Sequence, residues 1–223
     1  MGGEIQIPIS ASYFSFFTST CFPGAMKPKF STLIILTLIC AALIAPFAFS
    51  PIYLDILREK SIDLHQFLRG ELYKQGTGYA SLAFVVLEML LVMRKRSRGW
   101  PLKIKLPGSM ILWRSVHIFA GVGLLAMVLI HTVGATGLNF NGIFLWVFFA
   151  VTLSALVGVV AETGVLESSK KFFSPLGPKS KMVIGKGALI RGLRDIWLST
   201  HILLVGVFTV MLGAHIFLAY YYQ

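Results

Sequence analysis

Long apolar runs alternate with short polar ones along this chain. Five runs stand out, at about 31–49, 77–93, 110–134, 143–161 and 196–219. Each is close to the roughly 20 residues that cross about 30 Å of hydrocarbon as an α-helix. They are apolar all round, as spans are, rather than striped like a helix on a soluble core. Residues 51–76 read differently. Asp55, Glu59, Asp63 and Glu71 mix with Arg58, Lys60, Arg69 and Lys74 there, and Leu54, Leu57, Leu64, Phe67, Leu68 and Leu72 interleave at helical spacing. That pattern predicts an amphipathic helix lying on the membrane surface. The predicted fold is all-α: a polytopic membrane helix bundle of about five transmembrane spans, with four of them forming a core.

Ahead of the first run, residues 1–30 are an irregular N-terminal segment of Ser, Thr and Phe, with Pro23-Gly24. Met26-Lys27-Pro28-Lys29-Phe30 has the look of a start, which makes residues 1–25 an over-long extension. Lys27 and Lys29 before the run and Ala48-Phe49-Ser50 after it also resemble a secretory signal with its cleavage site. A retained span is the expectation, so residues 31–222 are taken as one transmembrane domain.

Composition agrees. Hydrophobic residues make up 56% and charged residues 13%, against about a quarter charged in soluble domains. The net charge of +11 raises nucleic acid as a partner, but the basic residues cluster between spans, where they set topology. Segment 94–109 holds six basic residues and no acid, 162–195 holds seven against three acids, and 135–142 holds no charge. The positive-inside rule then puts the basic loops and the N-terminus in the cytoplasm and the C-terminus outside. No nucleic-acid partner is expected. The partner is a lipid bilayer, with a bacterial inner membrane as the expected location.

Candidate chemistry sits inside the runs. Trp113, His117 and His131 repeat the spacing of Trp197, His201 and His215, a Trp-x3-His-x13-His pattern written twice. Ionisable groups in lipid are costly and mark function. Imidazole is a ligand of haem iron. Fourteen residues turn through about 1,400°, four turns less about 40°, so both histidines of a copy share one face. They rise by roughly 21 Å, which fits two stacked cofactors within the hydrocarbon. One span separates the two copies, so they run parallel. His117 then lies level with His201 near the cytoplasmic side, and His131 with His215 near the outer side. Two bis-histidine b-type haems across a four-helix core are the expected cofactors. A single histidine in a span is often a packing residue or part of a proton relay; two matched pairs are not readily assigned to packing.

The neighbours leave alternatives open. Gly121, Gly123 and Gly206 either make room for a flat macrocycle or let helices approach closely. Trp113 and Trp197 either pack on haem or belong to an interfacial aromatic belt. Arg114, Arg191 and Arg194 either meet haem propionates or serve topology and headgroups. Glu88 is the acid inside a predicted span, read as snorkelling or paired with Arg94, with a proton or quinone site as the rival. His65 is read as an ordinary interfacial histidine. Cys21 and Cys40 are the only cysteines. Without Cys-x-x-Cys-His or four cysteines, covalent haem and a cysteine-held iron–sulfur cluster are excluded.

At these residues the chain resembles the diheme cytochromes b of the ferric reductase-like transmembrane superfamily. The resemblance covers about residues 31–222. It is carried by His117-x13-His131 with Gly121, by His201-x13-His215 followed by Tyr221-Tyr222, and by Gly76-Thr77-Gly78 through Arg94. It implies that all four histidines are axial ligands. The superfamily commonly has a sixth span and often a flavin- and nicotinamide-binding domain; no Gly-x-Gly-x-x-Gly fingerprint is present here.

The expected function is transmembrane electron transfer, as the membrane subunit of an oxidoreductase complex rather than a complete enzyme. Expected partners are a cytoplasmic flavoprotein or iron–sulfur protein, or a periplasmic cytochrome c. A quinone is a further candidate ligand. The rival is a proton or metal transporter that uses the paired histidines as a relay.

Overall fold

The computed structural model describes residues 28–96, 109–135, 137–173 and 184–221, without the side chains of 91 and 94–96. Cys21, the Met26 start, the basic residues Arg98, Lys103 and Lys105, and Tyr222 lie outside the described residues. In chain order the helices are α1 (Phe30–Ile44), a 3₁₀ turn (Ala45–Phe49), α2 (Ser50–Lys60), α3 (Ile62–Arg69), α4 (Glu71–Arg96), α5 (Met110–Thr132), α6 (Phe140–Glu167) and α7 (Lys186–Tyr221). Two short strands, β1 (Phe172–Phe173) and β2 (Ile184–Gly185), precede α7. Four helical stretches are long and apolar enough to span a membrane among the described residues: Phe30–Lys60, Met110–Thr132, Phe140–Glu167 and Lys186–Tyr221. The all-helical class is therefore as predicted, and these four stretches mark an integral membrane protein. The predicted 77–93 run lies within α4, a single helix of 26 residues.

Proline explains the first boundary. Pro46 lacks an N–H, and α1 gives way at that point to the 3₁₀ turn. Pro51 stands in the first turn of α2, where a missing donor costs nothing. The amphipathic stretch is not one helix. It divides at Ser61, with ψ 64°, and at Gly70, with ψ 146°, both outside helical values. Ile52, Ile56, Ile62, Leu64, Phe67 and Leu72 remain exposed across these pieces.

The chain forms two compact units. Among the described residues, one holds α4 and α5 up to His131, and the other holds α1 to α3 and the residues from Thr132 on. In the first, α4 and α5 run side by side. Tyr73 Oη donates to the Ile130 carbonyl at 2.8 Å, and Lys74 Nζ donates to the His131 carbonyl at 2.5 Å. Those carbonyls end α5, where no helical N–H reaches them.

In the second unit α6 packs against α7 and α1. Its core includes Leu33, Cys40, Phe148, Phe149 and Leu156, all buried. Phe47 of the 3₁₀ turn meets Phe149 edge to face at 5.8 Å, a favoured aromatic geometry. Tyr53 on α2 donates to the Val133 carbonyl at 2.7 Å. Val133 has φ 61°, a left-handed value that a β-branched residue rarely takes. At Gly134 a Cβ would come within 2.6 Å of the Tyr53 hydroxyl, so only glycine fits that turn.

The loop after α6 is shorter than the sequence predicted. Helix α6 continues to Glu167, and α7 begins at Lys186 rather than near 196. Phe172 pairs with Gly185 and Phe173 with Ile184, antiparallel. Lys186 Nζ donates to the Leu166 and Ser168 carbonyls at 2.8 and 2.7 Å, satisfying the carboxyl end of α6. Charged residues do not end these helices, because their ends can run past the hydrocarbon: at 36 residues, α7 measures about 54 Å.

Candidate functional site

His117 and His131 stand on α5 in one unit, and His201 and His215 on α7 in the other. All four rings are half-buried. In every case Nδ1 meets a polar side chain on the helix that packs antiparallel to its own. His117 Nδ1 contacts the Glu88 carboxylate, and His131 Nδ1 lies 3.0 Å from Thr77 Oγ1. His201 Nδ1 lies 3.1 Å from Ser154 Oγ, and His215 Nδ1 lies 3.1 Å from Asn141 Oδ1. The order reverses along each partner helix: the earlier histidine meets the later polar residue. Antiparallel helices produce that reversal.

These contacts decide a tautomer. Thr77 Oγ1 already donates its one proton to the Tyr73 carbonyl at 2.7 Å. Ser154 Oγ donates to the Val151 carbonyl at 2.8 Å. Each hydroxyl can then only accept from the histidine. A carboxylate and an amide oxygen are acceptors by nature. Nδ1 of His131 and of His201 therefore donates, His215 Nδ1 faces an amide oxygen, and His117 Nδ1 meets the Glu88 carboxylate as an ion pair. This is how a metal-ligating histidine is oriented by its surroundings. From sequence, a backbone carbonyl of the preceding turn is the expected acceptor; side chains of a neighbouring helix take that place instead.

The arrangement is built locally. Asn139 caps α6, its Oδ1 accepting from the Gly142 amide at 2.8 Å, a standard N-cap contact. That fixes where α6 starts and sets Asn141 in its first turn. At Gly78 a Cβ would lie 3.3 Å from His131 Cε1, so this position stays small beside the ring. The neighbouring aromatic ring of Phe144 sits 5.3 Å from that of His215.

The other candidate residues divide. Trp113 is buried, at 4% exposure. The Trp197 indole lies flat against Gly158 of α6, where an added Cβ would fall 2.5 Å from its ring; its ring centre is 6.3 Å from that of His201. Trp197 thus packs against α6. Its indole N–H is buried without a hydrogen-bond partner among the described residues. Gly123 faces Phe84 of α4, 2.8 Å from where a Cβ would stand, whereas Gly206 meets nothing within 4 Å. At Gly121 the nearest atom to a Cβ would be Glu88 Oε1, at 3.9 Å. Arg114 and Arg191 are exposed.

Arg194 meets Glu162 on α6 in an ion pair. Glu162 is buried, at 1% exposure. The sequence reading left Glu162 in a loop because its charge ends the apolar run. The only signal for its place was the basic residue Arg194, more than thirty positions away. Glu88 was singled out from sequence, but for Arg94 rather than for His117. Thr77, Ser154 and Asn141 were not singled out. They are small polar residues within or beside apolar runs, and their spacing opposes that of the histidines.

Among the described residues no group of three or more His, Cys, Asp or Glu gathers as a bare metal ion would need. A haem iron takes four ligands from its porphyrin and asks the protein for one or two, so imidazoles that stand singly along a helix are compatible with it. No family model, curated protein or solved structure matches this chain.

Proposed function

We propose that this protein is a diheme membrane cytochrome b, similar to those of the ferric reductase-like superfamily, that conducts electrons across a membrane. The observation that carries the reading is the common placement of the four histidines: each Nδ1 meets an oxygen on a neighbouring helix. Packing histidines have no reason to share that arrangement; iron ligands do. When bound, each haem would supply a one-electron carrier whose potential the protein tunes by ligand, burial and hydrogen bonds. The chain's own part is to hold the rings, orient Nε2 and exclude water.

In this reading each iron takes one histidine from each Trp-x3-His-x13-His copy, His117 with His201 and His131 with His215, as the matched spacing along parallel spans requires. Helix α4 is then a fifth span, about 39 Å long, and its acid is tolerated because it is paired with His117. The basic loops face the cytoplasm, where they suit an acidic flavoprotein or iron–sulfur partner; the opposite face would meet a periplasmic cytochrome c, and a quinone is a further ligand. The protein acts as an electron-transfer subunit of an inner-membrane oxidoreductase.

A proton relay through the histidines is the second reading. The Glu88–His117 contact and the buried Glu162 favour it, since ionisable pairs within spans are its usual parts. A reduced-minus-oxidised spectrum of the purified protein, with a haemochrome count per chain, separates the two. Two low-spin b-type haems support the conduit. A folded protein without a Soret band rejects it in favour of the relay.

A further inference from the structure

One of the four Nδ1 partners differs from the rest. Thr77, Ser154 and Asn141 offer a neutral oxygen; Glu88 offers a carboxylate. Both members of the Glu88–His117 contact are sheltered, with side chains 14% and 31% exposed. The second carboxylate oxygen, Oε1, and His117 Nδ1 are both buried with no hydrogen-bond partner among the described residues, so the two side chains meet as an ion pair. The charge on Glu88 is thus directed mainly at the imidazole.

We propose that Glu88 is a positioning residue that makes the centre held by His117 the lower-potential one of the pair. This rests on the haem reading above. An ion-pair contact at Nδ1 draws positive charge of the ring toward the carboxylate and makes Nε2 a stronger electron donor. Ferric iron carries one more positive charge than ferrous iron, so a more basic ligand stabilises the oxidised form. The buried negative charge acts in the same direction, because a low-dielectric site screens it poorly. A neutral acceptor holds the ring equally well without this bias. Thr77, eleven residues before Glu88 on the same helix, therefore orients His131 but leaves its centre at higher potential.

The test uses the purified full chain in detergent. Haem per chain is counted first, and each variant is then titrated potentiometrically with its optical spectrum recorded. Wild type should show two haems and two separable midpoints. Glu88→Gln keeps the geometry and removes the charge. It should raise the lower midpoint enough to change the reduced-to-oxidised ratio at fixed potential at least tenfold, about 59 mV for one electron, and leave the upper midpoint in place. Glu88→Asp should restore part of the shift. Thr77→Val should leave the lower midpoint unchanged. His117→Ala assigns the centres independently: loss of the lower-potential component supports the inference, and loss of the upper one overturns it. Two haems with unmoved midpoints in Glu88→Gln also overturn it while leaving the haem reading intact. No haem in folded wild type removes both. Should Glu88→Gln load no haem, the His117→Ala titration alone decides.

Discussion

Ser154 stands 3.1 Å from Nδ1 of His201 with its own proton already committed to the Val151 carbonyl. The hydroxyl is left as an acceptor, and the His201 ring must donate to it. Ser154→Ala should remove that hold at a cost of about 1 kcal/mol. On the haem reading proposed above, the haem count should stay at two, while the low-spin electron paramagnetic resonance signal of one centre broadens as the ring gains freedom. Ser154→Thr should preserve the sharp signal. A spectrum unchanged in Ser154→Ala would show that the hydroxyl does not orient the ligand.

Removing a ligand should remove its centre. His117→Ala and His201→Ala should each lose one haem, and His131→Ala and His215→Ala the other, by haemochrome count and difference spectrum. Retention of two haems in all four variants would overturn the ligand assignment. Stability should fall as well, since a cofactor that binds only the folded chain contributes folding energy by linkage; thermal melting in detergent measures this.

Arg194 and Glu162 join α7 to α6, with Glu162 buried and Arg194 about half exposed. Arg194→Met takes the guanidinium away from a carboxylate that stays in the interior. It should cost about 1–3 kcal/mol, less than the loss of a fully buried pair because water reaches the arginine. Adding Glu162→Gln should recover most of the loss. A melting temperature equal in single and double variants would remove the pair from the account of stability.

Gly158 accepts the face of Trp197 directly. Gly158→Ala should force the indole aside and destabilise the α6–α7 contact by about 1–3 kcal/mol, as overpacking does. Trp197→Leu in the same chain should relieve part of it. Melting of the two variants checks the contact.

Val133 is held at φ 61° while its carbonyl accepts from Tyr53. Val133→Asn should stabilise the protein by about 1 kcal/mol, because Asn tolerates the left-handed region better. Tyr53→Phe should destabilise by a similar amount, about 1 kcal/mol, through the lost hydrogen bond. Both changes read out in detergent melting curves.

Much of this protein is legible along the chain, since burial in lipid demands continuous apolar runs and α-helices satisfy their own backbone. The runs near 31, 110, 143 and 196 became helices, and the doubled Trp/His spacing marked the candidate ligands before any contact was known. Helix ends were less legible. Glu162 and the residues from Lys186 look like loop because charge ends an apolar run, yet a helix continues where a partner neutralises the charge or its end passes beyond the hydrocarbon. The amphipathic stretch could not reveal its breaks at Ser61 and Gly70, because its apolar spacing continues across both.

The sequence by itself determined the helices and the positions of the four imidazoles, because hydropathy and a 3.6-residue turn are local properties. Only the tertiary structure decided which polar groups meet the rings. They are Thr77, Glu88, Asn141 and Ser154, which antiparallel packing brings to Nδ1 from at least 29 positions away along the chain.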